Sequence, residues 1–141
     1  MSQPKRVTAI GGIFVKCQDP AAIREWYKSH LGLNTDDYGA TFEWRHADEP
    51  EKKGFNIWTA FKKDTTYFAP SEKEFMLNLR VENLEWLLGE LKNEGIEVLG
   101  EMQVYDYGKF AHIVDPEGTK IELWESNDEE FAKMFGDQVT K

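Results

Sequence analysis

The sequence predicts an α+β fold in which two strand–helix–strands modules lie side by side. Together they form one curved sheet around a cavity, with the helices outside. Three observations carry this. Helix start and stop signals recur at matched spacing, from Asp19 to Gly32 and from Asn83 to Gly95. Strand-like runs precede and follow each helix, and a polar connector separates the two sets. Each module leaves one sheet face without a helix, so two modules joined edge to edge enclose a hollow between their bare faces.

The elements follow in order. Residues 9–17, AIGGIFVKC, read as a strand, with Ile13, Val15 and Cys17 on one face and Gly12, Phe14 and Lys16 on the other. Asp19 is a suitable N-cap and Pro20 a suitable first helical residue, and Gly32 ends the helix. Ile23, Trp26, Tyr27 and Leu31 make its apolar face, which predicts that Trp26 packs in the core. Two strands, 40–45 and 55–61, flank a polar loop, HADEPEKKG, and close a first module over 7–61. Residues 62–74 form the connector.

The second module spans 75–125. FMLNLRV (75–81) is a strand, Asn83 caps a helix containing Trp86, and 96–102 is a further strand. In the hairpin 109–125, Asp115-Pro116-Glu117-Gly118 has the composition of a turn with Gly118 left-handed. That turn sets His112 opposite Glu122. Ala111, Ile113, Ile121 and Leu123 then share an apolar face, while Phe110, His112, Glu122 and Trp124 share the other. A short helix over 127–136 follows, with Asn127 and Glu130 at capping-box spacing. The whole chain, 1–141, reads as one domain.

Composition narrows the function. The formal net charge is −9, which repels phosphate backbones and anionic lipid, so neither nucleic acid nor membrane is an expected partner. One cysteine, Cys17, allows no internal disulfide and, facing the helices, reads as an inert buried thiol. With no apolar leader or membrane-length run, a cytoplasmic protein is expected.

The paired modules, the helix with DP, WY and LGL, and the closing DPEGTKIELWE together resemble the vicinal oxygen chelate superfamily, the group of glyoxalases, bleomycin resistance proteins and ring-cleaving dioxygenases. The resemblance covers residues 8–125. It implies paired βαβββ modules, a small-molecule ligand and a homodimer. It also implies a divalent metal held by four inward-facing strands, with Glu122 as the last ligand. The other positions that it implies carry Gly12 and Met76, and the remaining strand offers only Asn56. One carboxylate does not hold a catalytic metal, which takes about three protein ligands. No metal and no other cofactor is therefore expected.

Glu122 is read either as a cavity carboxylate, serving as a base or binding a ligand, or as an inherited residue that is paired or solvated. His112 is its candidate proton partner, or an ordinary sheet histidine. Phe14, Trp58, Asn78, Lys109, Phe110 and Trp124 are the candidate ligand-binding residues, the aromatics suiting a planar or apolar molecule. Arg80, near a strand end, is read as solvated. The acidic run Asp128-Glu129-Glu130 is read as structural, complementing a helix N-terminus. The function expected is metal-independent binding of a small molecule in an aromatic cavity with Glu122 as its main polar group. The alternative is a glyoxalase-like lyase or isomerase with Glu122 as general base.

Overall fold

The computed structural model describes residues 3–141. Among them an eight-stranded curved sheet runs in the order β5-β6-β7-β4-β1-β3-β2-β8. The first module comprises β1 (Val7–Cys17), α1 (Pro20–Leu31), β2 (Gly39–His46) and β3 (Glu49–Lys62). The second comprises β4 (Phe75–Val81), α2 (Leu84–Asn93), β5 (Leu99–Tyr105), β6 (Gly108–Val114) and β7 (Lys120–Ser126). A helix α3 (Asp128–Phe135) and a two-residue strand β8 (Val139–Thr140) complete the chain. The modules join through antiparallel β1 and β4 at the centre of the sheet.

The two halves have the same internal logic. β1 runs parallel to β3 and β4 parallel to β7, each first strand pairing with the last strand of its own module. In the second half β5 occupies the outermost place. The first half has no such strand of its own, and β8 fills that place by pairing in parallel with β2.

Local chemistry accounts for the helix ends. Asp19, Asn83 and Asn127 each accept from a backbone N–H three residues on, at 3.1, 3.1 and 3.2 Å. Gly32 and Gly95 take φ of 73° and 83° just past the first two helices, where a side chain would be strained. The polar run 46–54 is not a loop. β2 and β3 continue through it, because alternating charged residues are tolerated on an exposed two-stranded ribbon.

The outer face is unevenly covered. Leu84, Leu87 and Leu88 of α2 are buried against Val81, Ala111 and Leu123, the apolar face predicted for the last hairpin. α1 buries no residue fully. Its main anchor is Tyr27, stacked on Trp58 with ring centroids 4.3 Å apart. Trp26 is therefore 50% exposed rather than packed in the core, and Cys17 is only partly buried. Burial still raises the Cys17 thiol pKa.

The inner face is largely filled by the chain itself. Phe68 of the connector is fully buried against Phe14 and Met76. On the other side of the sheet's centre, Phe131 of α3 packs on Phe55 and Trp124.

Candidate functional site

Register places one residue from each of the four central strands in a single row. Ile57 pairs with Gly12, Gly12 with Asn78, and Asn78 with Glu122. Asn78, not Met76, therefore stands beside Glu122. Met76 pairs with Phe14, one inner-face row away. Asn56, the other candidate on β3, donates its amide to the Ile10 carbonyl.

Glu122 is 2% exposed and fully engaged. Its Oε1 accepts from Asn78 Nδ2 at 2.7 Å. Its Oε2 lies 2.8 Å from His112 Nε2 and also accepts the Tyr67 hydroxyl. A buried carboxylate needs such donors to remain charged. Tyr67 stacks on Phe61 at 5.5 Å and meets His112 edge-on at 5.5 Å. Burial first, then the Glu122 charge, holds the Tyr67 phenol well above its ordinary pKa. Lys120, on the same strand face as Glu122, donates to the Tyr67 carbonyl at 2.6 Å. Its own burial lowers its pKa, opposed by Glu122.

One row further along the same two strands, Phe110 pairs with Trp124. Their rings stack at 5.8 Å and floor an aromatic cleft of about 480 Å³. Ile57 and Thr41 line its sheet side, Tyr107 its rim, and Phe131, Met134 and Phe135 of α3 its far wall. The His112–Glu122 row is the next along these two strands, so the buried carboxylate adjoins the cleft floor without lining it.

The predicted site residues divide. Glu122, His112 and Asn78 come together as one hydrogen-bonded cluster, and Phe110 and Trp124 adjoin it. Phe14 lies on the inner face but is sealed beneath Phe68. The side chains of two candidates turn to the outer face. The Trp58 ring is stacked on Tyr27 of α1, although Trp58 is among the residues that line the cleft, and Lys109 sits 3.3 Å from Glu85 and 3.9 Å from Glu125 at the edge of α2. Strand alternation assigns Lys109 to the outer face with Ala111, and counting along 108–112 reveals it.

Sequence reasoning passed over Tyr67, because a polar connector carries no periodicity. Arg80 is also not solvated. It is 5% exposed, lies over the rings of Trp44 and Trp124, and grips Asp128 through Nη2 at 2.8 and 3.0 Å. His46 and Ser126 complete the surroundings of that carboxylate at 3.0 and 2.7 Å. Asp128 thus anchors the start of α3 to the sheet.

Comparison with known proteins accords with this geometry. A family profile described as a glyoxalase-like domain matches residues 12–124. The chain belongs to that family. The fold of this glyoxalase-like domain is shared with methylmalonyl-CoA epimerase from Mycobacterium tuberculosis, at 20% identity and a TM-score of 0.59, over 94% of this chain and 97% of that one. It is shared too with a Streptomyces coelicolor methylmalonyl-CoA epimerase variant in complex with 2-nitronate-propionyl-CoA, at 16% identity and 0.64, over 86% and 99%. The Mn(II)-bound glyoxalase from Novosphingobium aromaticivorans is similar at 20% and 0.58, over 86% of this chain and 40% of that one. No curated protein sequence matches.

The donors in this glyoxalase-like domain do not fit a divalent metal. The central row offers a hydrocarbon, no side chain, an amide and one carboxylate. A Cβ on Gly12 would overlap the Ile57 carbonyl, so the row has no room for a fuller ligand there. Among the described residues no group of three or more His, Cys, Asp or Glu could hold such an ion.

Proposed function

We propose that this glyoxalase-like domain is a metal-independent binder of a small, planar and partly apolar molecule. The ligand occupies the cleft over Phe110 and Trp124, with Glu122 as the main polar group at its inner end. The observation that carries the reading is the central row, in which Glu122 is the sole carboxylate and Asn78 orients it. Aromatic walls supply most of the contact area, as binding clefts of this size commonly do. The reading includes a homodimer in the cytoplasm. The exposed Ile10, Ile13 and Trp26 support the dimer, which light scattering measures directly.

A thermal-shift screen of planar aromatics, with and without a chelator, tests the proposal. Stabilisation indifferent to the chelator, and lost in Phe110→Ala, is expected. Stabilisation that requires added metal overturns it.

A second reading has an observation of its own. His112 Nε2 and the Tyr67 hydroxyl meet on one carboxylate oxygen, so a proton on Glu122 has two neighbours to exchange with. On that reading the protein is a lyase or isomerase with Glu122 as general base. It requires turnover that Glu122→Gln abolishes while ligand binding survives.

A further inference from the structure

The polar end of the inner face already holds an aromatic hydroxyl, that of Tyr67. Its ring lies flat on Phe61 and edge-on to His112, and its O–H donates to Glu122 Oε2. Lys120 Nζ lies 5.3 Å from the centroid of the same ring. The groups beneath are closed off, with Asn78 at 0%, Glu122 at 2% and His112 at 8% exposure. Tyr67 itself is 36% exposed and belongs to no helix or strand. We propose that Tyr67 is a resident stand-in, and that the ligand of this protein carries an aromatic hydroxyl that displaces it from Glu122. This deepens the binder reading and rests on it.

Three features of the molecule support the exchange. First, the backbone of the strap is fastened independently of the Tyr67 ring. Lys120 holds the Tyr67 carbonyl, Phe68 is buried at 0%, and Lys73 donates to Thr119 at 2.9 Å. The side chain can therefore turn out without unfolding the connector. Second, the His112–Glu122 row is the next inner-face row after Phe110–Trp124, about 7 Å further along β6 and β7. A bicyclic aromatic spans that interval, lying on the cleft floor with one end at Glu122. Third, a departing Tyr67 leaves buried Oε2 with one partner fewer, His112 Nε2 remaining. The incoming group must restore an O–H or N–H, so a bare carbonyl or ether does not serve. An aliphatic alcohol restores the donor but forfeits the contacts with Phe61 and His112. The surroundings that keep the Tyr67 phenol protonated act equally on a ligand phenol, so the neutral form binds and a phenolate is rejected.

The test uses 2-naphthol and naphthalene against the wild-type chain and Tyr67→Phe, with binding followed by isothermal calorimetry at pH 7. Tyr67→Phe retains the ring but removes the competing hydroxyl. It is expected to bind 2-naphthol about tenfold more tightly than wild type, with naphthalene unchanged. A second variant, Tyr67→Ala, opens the stand-in's own place. It is expected to bind p-cresol about tenfold more tightly than toluene.

Equal gains for 2-naphthol and naphthalene, or equal binding of p-cresol and toluene, overturn the proposal, since an apolar void alone then explains both. If wild type binds naphthalene and 2-naphthol alike and Tyr67→Phe changes neither, the binder reading stands and this one falls. If no aromatic binds any of the three proteins, both fall.

Discussion

Asn78 Nδ2 donates to Glu122 Oε1 across 2.7 Å at a place solvent does not reach. The amide holds a buried charge without neutralising it. Asn78→Ala leaves Oε1 unsatisfied and is expected to cost about 1–3 kcal/mol in a urea denaturation series. Asn78→Asp sets two carboxylates face to face. It is expected to be worse than Asn78→Ala at pH 8 and to recover part of the loss at pH 5, as one carboxyl of the pair takes up a proton. Equal stability of the two variants at both pH values would remove the case for a charged Glu122.

Tyr67 has a different pH signature. Its pKa is raised in the folded state, whereas in an unfolded chain it is near the ordinary value of 10.0. Below that value both states hold the proton, and the stabilisation from the phenol is fully present. As pH rises through it, the unfolded chain ionises first and the stabilisation is lost. Wild type is expected to lose stability more steeply than Tyr67→Phe above pH 10. Chemical denaturation from pH 8 to 11 measures the difference. The lowered Lys120 pKa contributes an opposite slope in that range, common to both proteins and cancelled in the comparison.

The Arg80–Asp128 pair fastens α3, and through α3 the far wall of the cleft. Asp128→Ala strands a buried guanidinium and is expected to cost about 3–5 kcal/mol. Replacing both partners, as in Arg80→Met with Asp128→Leu, is expected to restore much of that. A double-mutant cycle by denaturation gives the coupling. Additive losses would mean that the pair does not act as a unit.

Gly12→His puts an imidazole at the position that the family resemblance marks for a first metal ligand. The Ile57 carbonyl stands where its Cβ must go. The variant is expected to be destabilised by about 1–3 kcal/mol. It is also expected to retain no zinc after dialysis, as read by elemental analysis. Stoichiometric retained zinc would show that the β1–β3 backbone yields more easily than its packing implies.

Much of the fold was legible because its signals are local. Asp19, Asn83 and Asn127 cap as their side chains dictate, and the two faces of 109–125 separate as alternation requires. The cluster of Glu122, His112 and Asn78 could be found for the same reason. What escaped depended on distant partners. Lys109 was placed by residue type rather than by its face. Sequence counting puts Met76 in the Glu122 row, but which residues of β1 and β7 meet β4 is a matter of strand register that no local pattern announces. Arg80 looked solvated because its partner Asp128 is 48 residues away. Tyr67 sits in a stretch without periodicity, and its significance arises only where the connector crosses Glu122, 55 residues on.

The pairing of β8 with β2 has a consequence for how the chain reaches this state. Thr41 meets Val139, nearly a hundred residues later in sequence. A ribosome delivers the first module long before the strand that occupies its outer place. During synthesis β2 therefore waits with an open edge, a state prone to pairing with other chains. Residues from beyond the second module thus close the first half to be made, and the sheet is whole only after they have left the ribosome.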